Sequence, residues 1–81
     1  MRTKRRLSEL VPGHRYRDRV ARRAAAMSQT DIVEWADQGV TQLSRSLGEL
    51  RKAVSRRDIE EATDGLVVVA VVLEELARRV T

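Results

Sequence analysis

The chain has 81 residues, of which 16 are Lys or Arg and 12 are Asp or Glu, so its formal net charge is +4. It contains no cysteine and one histidine, which excludes a disulfide framework, thiol chemistry and a Cys/His zinc site. A chain of this length forms one small domain with a marginal core, and such domains often gain stability by oligomerising.

The charges are divided between the two ends of the chain. Residues 1–27 carry nine basic and two acidic side chains, whereas residues 28–81 carry seven basic and ten acidic ones. We therefore divide the chain into a basic N-terminal arm, 1–27, and a mildly acidic helical body, 28–81. An arm of this charge is typical of a segment that holds an anionic partner.

We expect one or two short helices in the arm, from two segments with helical periodicity. Residues 3–11 form the first, and Pro12-Gly13 ends it because proline lacks an amide donor and glycine lowers helix propensity. Residues 14–27 form the second, with apolar side chains along one face and most arginines off that face. The residues expected to contact the anionic partner are Arg2, Lys4, Arg5, Arg6, Arg15, Arg17, Arg19, Arg22 and Arg23.

The body predicts two long amphipathic helices. Each begins at a serine followed three residues later by an aspartate, which is the spacing of a capping box: Ser28 with Asp31, and Ser55 with Asp58. Apolar residues then alternate at steps of three and four, the a/d heptad pattern of packed helices. The residues expected to form the helix–helix interface are Val33, Val40, Leu43, Leu47, Leu50, Leu66, Val69, Leu73 and Leu76.

These elements predict an all-α fold, in which the basic arm precedes an antiparallel hairpin of two long heptad-patterned helices. Residues 66–73, LVVVAVVL, are apolar on every face and need cover on every face. One partner helix covers only one side, so we expect a homo-oligomer, most simply two hairpins that form a helical bundle. No apolar run reaches the length of a membrane span, so no spanning helix is expected.

Five acidic residues flank the apolar positions of the last helix. We expect them to be solvated and not to bind a metal, because a metal-binding bundle needs inward-pointing Glu-x-x-His motifs and the chain has none. These residues are Glu60, Glu61, Asp64, Glu74 and Glu75.

Trp35 lies off the a/d pattern, beside Ile32 and Gly39 at spacings of three and four residues. A tryptophan on an outer face is often a hot spot for a protein partner. The alternative is that Trp35 packs beneath the apolar face of the second arm helix. Both interpretations predict that Trp35→Ala damages assembly or the docking of the arm.

The sequence contains no common catalytic motif: no G-x-S-x-G, phosphate-binding loop, H-E-x-x-H or dinucleotide fingerprint. We therefore expect a non-enzymatic cytoplasmic protein without a cofactor, an assembly or adaptor protein that oligomerises through its hairpin. The candidate anions for its arm are nucleic acid, an acidic protein surface including its own body, and anionic lipid. The alternative function is a small nucleic-acid-binding regulator with a dimerising hairpin and an Arg-rich contact helix.

Two segments carry a resemblance. KRRLSELVPGHRYRDR at 4–19 and the helix start MSQTDIVEWADQ at 27–38, in a chain where arginine outnumbers lysine fourteen to two, resemble small helical proteins of actinobacteria and their phages. The resemblance implies a virion assembly component, and hence a virion-associated protein, or a small host-directed regulator.

Overall fold

The computed structural model describes residues 14–81, with side-chain environments from residue 15 onward. These residues form three α-helices: α1, His14–Ala25; α2, Gln29–Lys52; and α3, Arg56–Val80. No strand occurs within 14–81, so the all-helical prediction is confirmed for this part of the chain. The first predicted arm helix lies outside the described residues, as do the predicted contacts Arg2, Lys4, Arg5 and Arg6.

Both long helices begin at the serines that the capping pattern identifies. The Ser28 hydroxyl accepts a hydrogen bond from the Asp31 amide at 3.1 Å, and Ser55 does the same for Asp58 at 3.1 Å. Each cap satisfies an amide that has no partner within its helix, which stabilises the helix by about 1 kcal/mol. The breaks between helices therefore fall where local hydrogen bonding favours them.

Glycines bring α2 and α3 into close contact. Gly39 and Gly65 are both buried. A Cβ added to Gly39 would lie 3.0 Å from the Gly65 carbonyl oxygen, and one added to Gly65 would lie 2.6 Å from the Gly39 carbonyl oxygen. The distance between packed helices depends on the side chains at their contact. Because a glycine carries only a hydrogen in place of a side chain, the two backbones can approach closely at Gly39 and Gly65. Ser46 of α2 and Ala62 of α3 are also small and buried.

One apolar core joins all three helices, with α1 packed mainly against α3. Its buried members are Val20 and Ala24 of α1, Ile32 of α2, and Val68, Val71 and Val72 of α3. Full burial of an aliphatic side chain contributes about 1.5–3 kcal/mol each. The β-branched run of α3 is therefore helical here, because its side chains fill a core between two other helices.

The predicted interface residues do not all lie between α2 and α3. Leu43, Leu50, Val69 and Leu76 are half-buried. Five others are 47–57% exposed: Val33, Val40, Leu47, Leu66 and Leu73. The physical reason is the glycine contact, which rotates each helix until its small residues meet and turns the first residue of each heptad outward. Contacts of these five residues with another chain stay a prediction.

None of the described helices combines the length and the apolar character needed to cross a membrane.

Candidate functional site

The predicted anion-binding arginines of α1 are all exposed: Arg15, Arg17, Arg19, Arg22 and Arg23. Arg17 forms an ion pair with Glu74, because its Nη2 donates to both carboxylate oxygens of Glu74 at 2.8 and 2.7 Å. This ion pair joins α1 to α3, so one arginine contacts the acidic body of its own chain. The other four form no ion pair with another described residue.

Two of these arginines lie against aromatic rings. The guanidinium carbon of Arg23 is 4.5 Å from the centroid of the Trp35 ring, and that of Arg19 is 5.9 Å from the centroid of the Tyr16 ring. A guanidinium in such a position is attracted by the negative face of the ring. The two pairs hold the arginines beside apolar surface without neutralising their charge.

A groove between α1 and α2 brings these groups together. Its volume is about 480 Å³. It is lined by Tyr16, Arg19, Val20, Arg22, Arg23 and Trp35. The lining therefore combines two aromatic rings with three guanidinium groups and includes no acidic side chain. We call this cavity the arginine–aromatic groove.

Trp35 is half-buried and packs against the apolar core that α1 completes. This position agrees with the interpretation that Trp35 lies beneath the second arm helix. Part of its indole still lines the arginine–aromatic groove. A contact of Trp35 with another protein stays a prediction.

Sequence reasoning missed a buried ion cluster near the end of α3. Arg79 donates through Nε to the Glu75 carboxylate at 2.8 Å, and through Nη2 to the carbonyl oxygens of Ala24 at 3.1 Å and Met27 at 2.9 Å. The last carbonyls of a helix lack partners within it, so Arg79 satisfies the end of α1. Glu75, which also accepts from Arg78, is only 8% exposed.

The prediction that all five acids of α3 are solvated is therefore wrong for Glu75, whose side chain is buried and paired with Arg79. Glu74 remains exposed but is paired with Arg17, and Glu61 pairs with Arg57 at 3.3 Å. No sequence signal for the Glu75 cluster is apparent beyond the i, i+4 spacing of Glu75 and Arg79, which is equally common on exposed helix surfaces.

Asp64 is the other acid with an unusual environment. It is half-buried, and its Oδ1 is buried without a hydrogen-bond partner among the described residues. Burial raises the pKa of Asp64, and the charges of Glu60 and Glu61 raise it further. Burial, followed by the charge of Asp64, also raises the pKa of the Tyr16 hydroxyl. Within 14–81, no group of three or more His, Cys, Asp or Glu side chains is arranged to hold a metal ion.

Large aliphatic side chains form two exposed rows on α2 and α3. The rows are Val33, Val40 and Leu47 on α2, and Ile59, Leu66, Leu73 and Val80 on α3, with exposed fractions of 41–77%. Steps of seven residues keep each row on one side of its helix. At 1.5 Å per residue, the rows are about 21 Å and about 32 Å long. We call them the aliphatic rows.

Comparison of the chain with protein-family models, with curated proteins and with solved structures finds no match. The function is therefore argued from two surfaces of the molecule, the aliphatic rows and the arginine-bearing side of α1.

Proposed function

We propose that this protein is a non-enzymatic assembly or adaptor protein, which self-associates through the aliphatic rows and holds an anionic partner on the arginines of its arm. The observation that carries the proposal is the exposure of seven large aliphatic side chains in two regular rows. Monomeric soluble proteins rarely leave extended apolar strips uncovered, and such strips mark interaction surfaces.

The order of the contacts supports an antiparallel course for α2 and α3. Gln42 donates through Nε2 to the carbonyl oxygen of Glu61 at 2.7 Å. Gly39, earlier in α2, meets Gly65, later in α3. A residue later in α2 thus contacts a residue earlier in α3, which is the order of contacts expected of an antiparallel hairpin.

If α2 and α3 are antiparallel, the two aliphatic rows lie on the same side of the helix pair. Val40 follows Gly39, and Leu66 follows Gly65, by one residue, which is a turn of about 100° around each helix. The two glycines point at each other and the helices run in opposite directions, so equal forward turns lead to the same side of the pair. The two aliphatic rows then lie side by side and form one face.

The position of α1 supports an uncovered face. Val68 and Val71, which share one buried core with Val20 and Ala24 of α1, follow Gly65 by three and six residues. At about 100° per residue, these spacings place the two side chains about 60° and 120° from Gly65 around the helix. The direction is opposite to that of Leu66. On this geometry α1 covers one side of the α2–α3 pair and the aliphatic face occupies the other.

The size of the face fits an interface of ordinary dimensions. Full burial of Val, Leu or Ile removes roughly 60–120 Å² of apolar surface, if about 1.5–3 kcal/mol is divided by about 25 cal/mol per Å². Seven such side chains, about half exposed, offer roughly 210–420 Å². An ordinary interface uses about 800 Å² per partner, a little over half of it apolar. The face therefore supplies about half or more of that apolar area.

Charges beside the α2 row favour a second copy of the chain as the occupant. Asp37 and Arg51 are exposed and lie at equal distances along α2 from a point between Val40 and Leu47, and neither pairs with another described residue. A two-fold axis near that point would bring Asp37 of one chain close to Arg51 of the other. A two-fold interface repeats each contact, so this pairing would form twice.

The test is the solution mass of a variant that places a charge in the face. Leu66→Asp should give a helical monomer, because Leu66 is 54% exposed in the single chain and its burial is needed only for association. The matched control is Gln38→Asp, which adds the same charge at an exposed α2 position on the side of the helix away from Val40. Light scattering and far-UV circular dichroism measure mass and helicity. Equal masses for the two variants would contradict the proposal.

The second candidate function is the small nucleic-acid-binding regulator. The observation that favours it is the arginine–aromatic groove, since aromatic rings beside unpaired arginines suit nucleic acid better than they suit a carboxylate surface. The two functions share the dimeric body and the anion-holding arm, and differ in whether the bound complex serves assembly or regulation.

A further inference from the structure

We propose that the arginine–aromatic groove between α1 and α2 is a binding site for single-stranded nucleic acid. The inference rests on the proposed anion-holding role of the arm and names the class of the anion. It does not depend on self-association, because the groove lies between helices of one chain.

The charge of α1 is concentrated on the groove side. Arg19, Arg22 and Arg23 line the groove and form no ion pair with another described residue. Arg17, which does not line the groove, is neutralised by Glu74 at 2.7 Å. Three guanidinium groups without a counter-charge in the lining attract phosphate, and neutralising phosphates releases counterions and strengthens binding.

The spacing of the exposed arginines suits a strand that runs along the helix. Arg15, Arg19 and Arg22 are separated by four and three residues, so they share one side of α1. They span about 10 Å along the helix axis at 1.5 Å per residue. A row of this kind can contact successive phosphates of an extended strand while one base enters the groove.

The two rings distinguish nucleic acid from an acidic peptide. Tyr16 and Trp35 are half-buried, yet both line the groove. Bases of a single strand stack on aromatic rings and on arginine guanidinium planes, and Arg23 already lies over Trp35. Carboxylates of an acidic peptide would use the arginines and leave the rings without a role. Bases of a duplex are stacked on each other and cannot enter.

The volume of the groove suits a small part of such a strand. At about 480 Å³ it lies within the range of about 300–1,000 Å³ that is typical of small-ligand pockets. The groove is therefore large enough for a base with its sugar, and the rest of the strand would lie outside the groove, along α1 beside Arg15.

Trp35 is the only tryptophan, so its fluorescence reports directly on the groove. Full-length protein is titrated with a 12-residue oligothymidylate, the corresponding 12-bp duplex and polyglutamate, each near physiological salt. The proposal expects oligothymidylate to quench Trp35 at concentrations at least ten-fold lower than the other two. Equal or tighter binding of polyglutamate would overturn it and leave the anion-holding role intact. No quenching or binding by any of the three would contradict both.

A pair of charge-matched variants locates the site. Arg22→Gln removes one exposed arginine from the groove, and Arg56→Gln removes one exposed arginine at the start of α3. In anisotropy titrations of labelled oligothymidylate, Arg22→Gln should weaken binding at least five-fold and lower the salt slope by about one. Arg56→Gln should change affinity less than two-fold. Equal losses in both variants, with unchanged circular dichroism, would mean that binding follows net charge alone and would overturn the groove.

Discussion

At the scale of single residues, Arg79 connects three parts of the molecule through one guanidinium. It bonds Glu75 within α3, the carbonyl of Ala24 at the end of α1, and the carbonyl of Met27 in the connection to α2. Buried charges are tolerated when they are paired and hydrogen-bonded. Removal of one partner leaves the other charge buried, which costs more than the pair itself contributes.

Arg79→Met should therefore destabilise the fold by about 3 kcal/mol, since it leaves buried Glu75 short of a partner and removes a side-chain donor from the carbonyls of Ala24 and Met27. Arg78→Met is the matched control, because Arg78 also pairs with Glu75 but its side chain is 71% exposed. The control should cost less than about 1 kcal/mol. Urea unfolding followed by circular dichroism measures both. Equal losses would contradict the role of Arg79.

Asp64 predicts a pH effect of defined sign. Its pKa in the folded chain is raised by burial and by Glu60 and Glu61, so the folded state holds the proton more tightly than the unfolded state does. The stability associated with this proton is present below the ordinary aspartate pKa of about 3.9 and is lost as pH rises through the raised value. At neutral pH the charged carboxylate opposes folding.

Asp64→Asn should therefore raise the unfolding free energy at pH 7 by on the order of 1 kcal/mol, because the partly buried, unpaired carboxylate disappears. The gain over the wild-type chain should shrink as pH falls to 4 and below. Asp18→Asn, at an exposed position of α1, should have almost no effect at either pH. Thermal unfolding at several pH values tests this. A gain that persists at pH 3 would contradict the account.

At the scale of helices, the contact between α2 and α3 depends on two glycines. Gly65→Ala should be strongly destabilising, because the new Cβ would lie 2.6 Å from a backbone carbonyl oxygen and the helices would have to move apart. Gly48→Ala is the control, since nothing lies within 4 Å of its added Cβ. Alanine there should be neutral or stabilise by up to about 1 kcal/mol. Similar unfolding midpoints for the two variants would contradict the close contact.

The sequence predicts what local physics determines and misses what depends on distant partners. Ser28 and Ser55 cap helices through hydrogen bonds three residues away, so their roles are visible in the printed sequence. In α2, two neighbouring strips are both plausible contact faces: the a/d pattern, and Ile32 with Trp35 and Gly39. Which strip faces α3 depends on the contact of Gly39 with Gly65, which lies twenty-six residues later in the chain. The a/d pattern of α2 contains no information about that contact.

The candidate site follows the same division. The arginines of α1 are recognisable from composition and spacing, and so is the option that Trp35 packs beneath them. Which arginines remain without an ion pair is decided by α3, because Glu74 pairs with Arg17 and not with Arg22. The groove likewise requires the docking of α1 on α3, which depends on Arg79.

At the scale of the whole molecule, the proposed account gives the two sides of the α2–α3 pair different roles. One side bears α1 and its arginines, and the other bears the aliphatic rows. Two chains joined through the aliphatic rows would carry their α1 helices on opposite outer surfaces. Such a dimer presents two separate anion-binding surfaces, so a long anionic partner could bridge successive dimers with an avidity that a monomer lacks.

The salt dependence of the two surfaces should differ. Association through aliphatic side chains is insensitive to moderate salt, or strengthened by it, because the hydrophobic effect does not rely on charge. Anion binding on α1 should weaken as salt rises. The oligomer should therefore persist under conditions in which an anionic partner is released.

We propose that a second copy of the chain covers the aliphatic rows, and the solution mass of the full-length wild-type protein tests this proposal. Light scattering across a concentration series, at low and at moderate salt, should give twice the 9.2 kDa mass of one chain at both salt concentrations. A mass of 9.2 kDa throughout the series, with native helicity, would contradict the proposal.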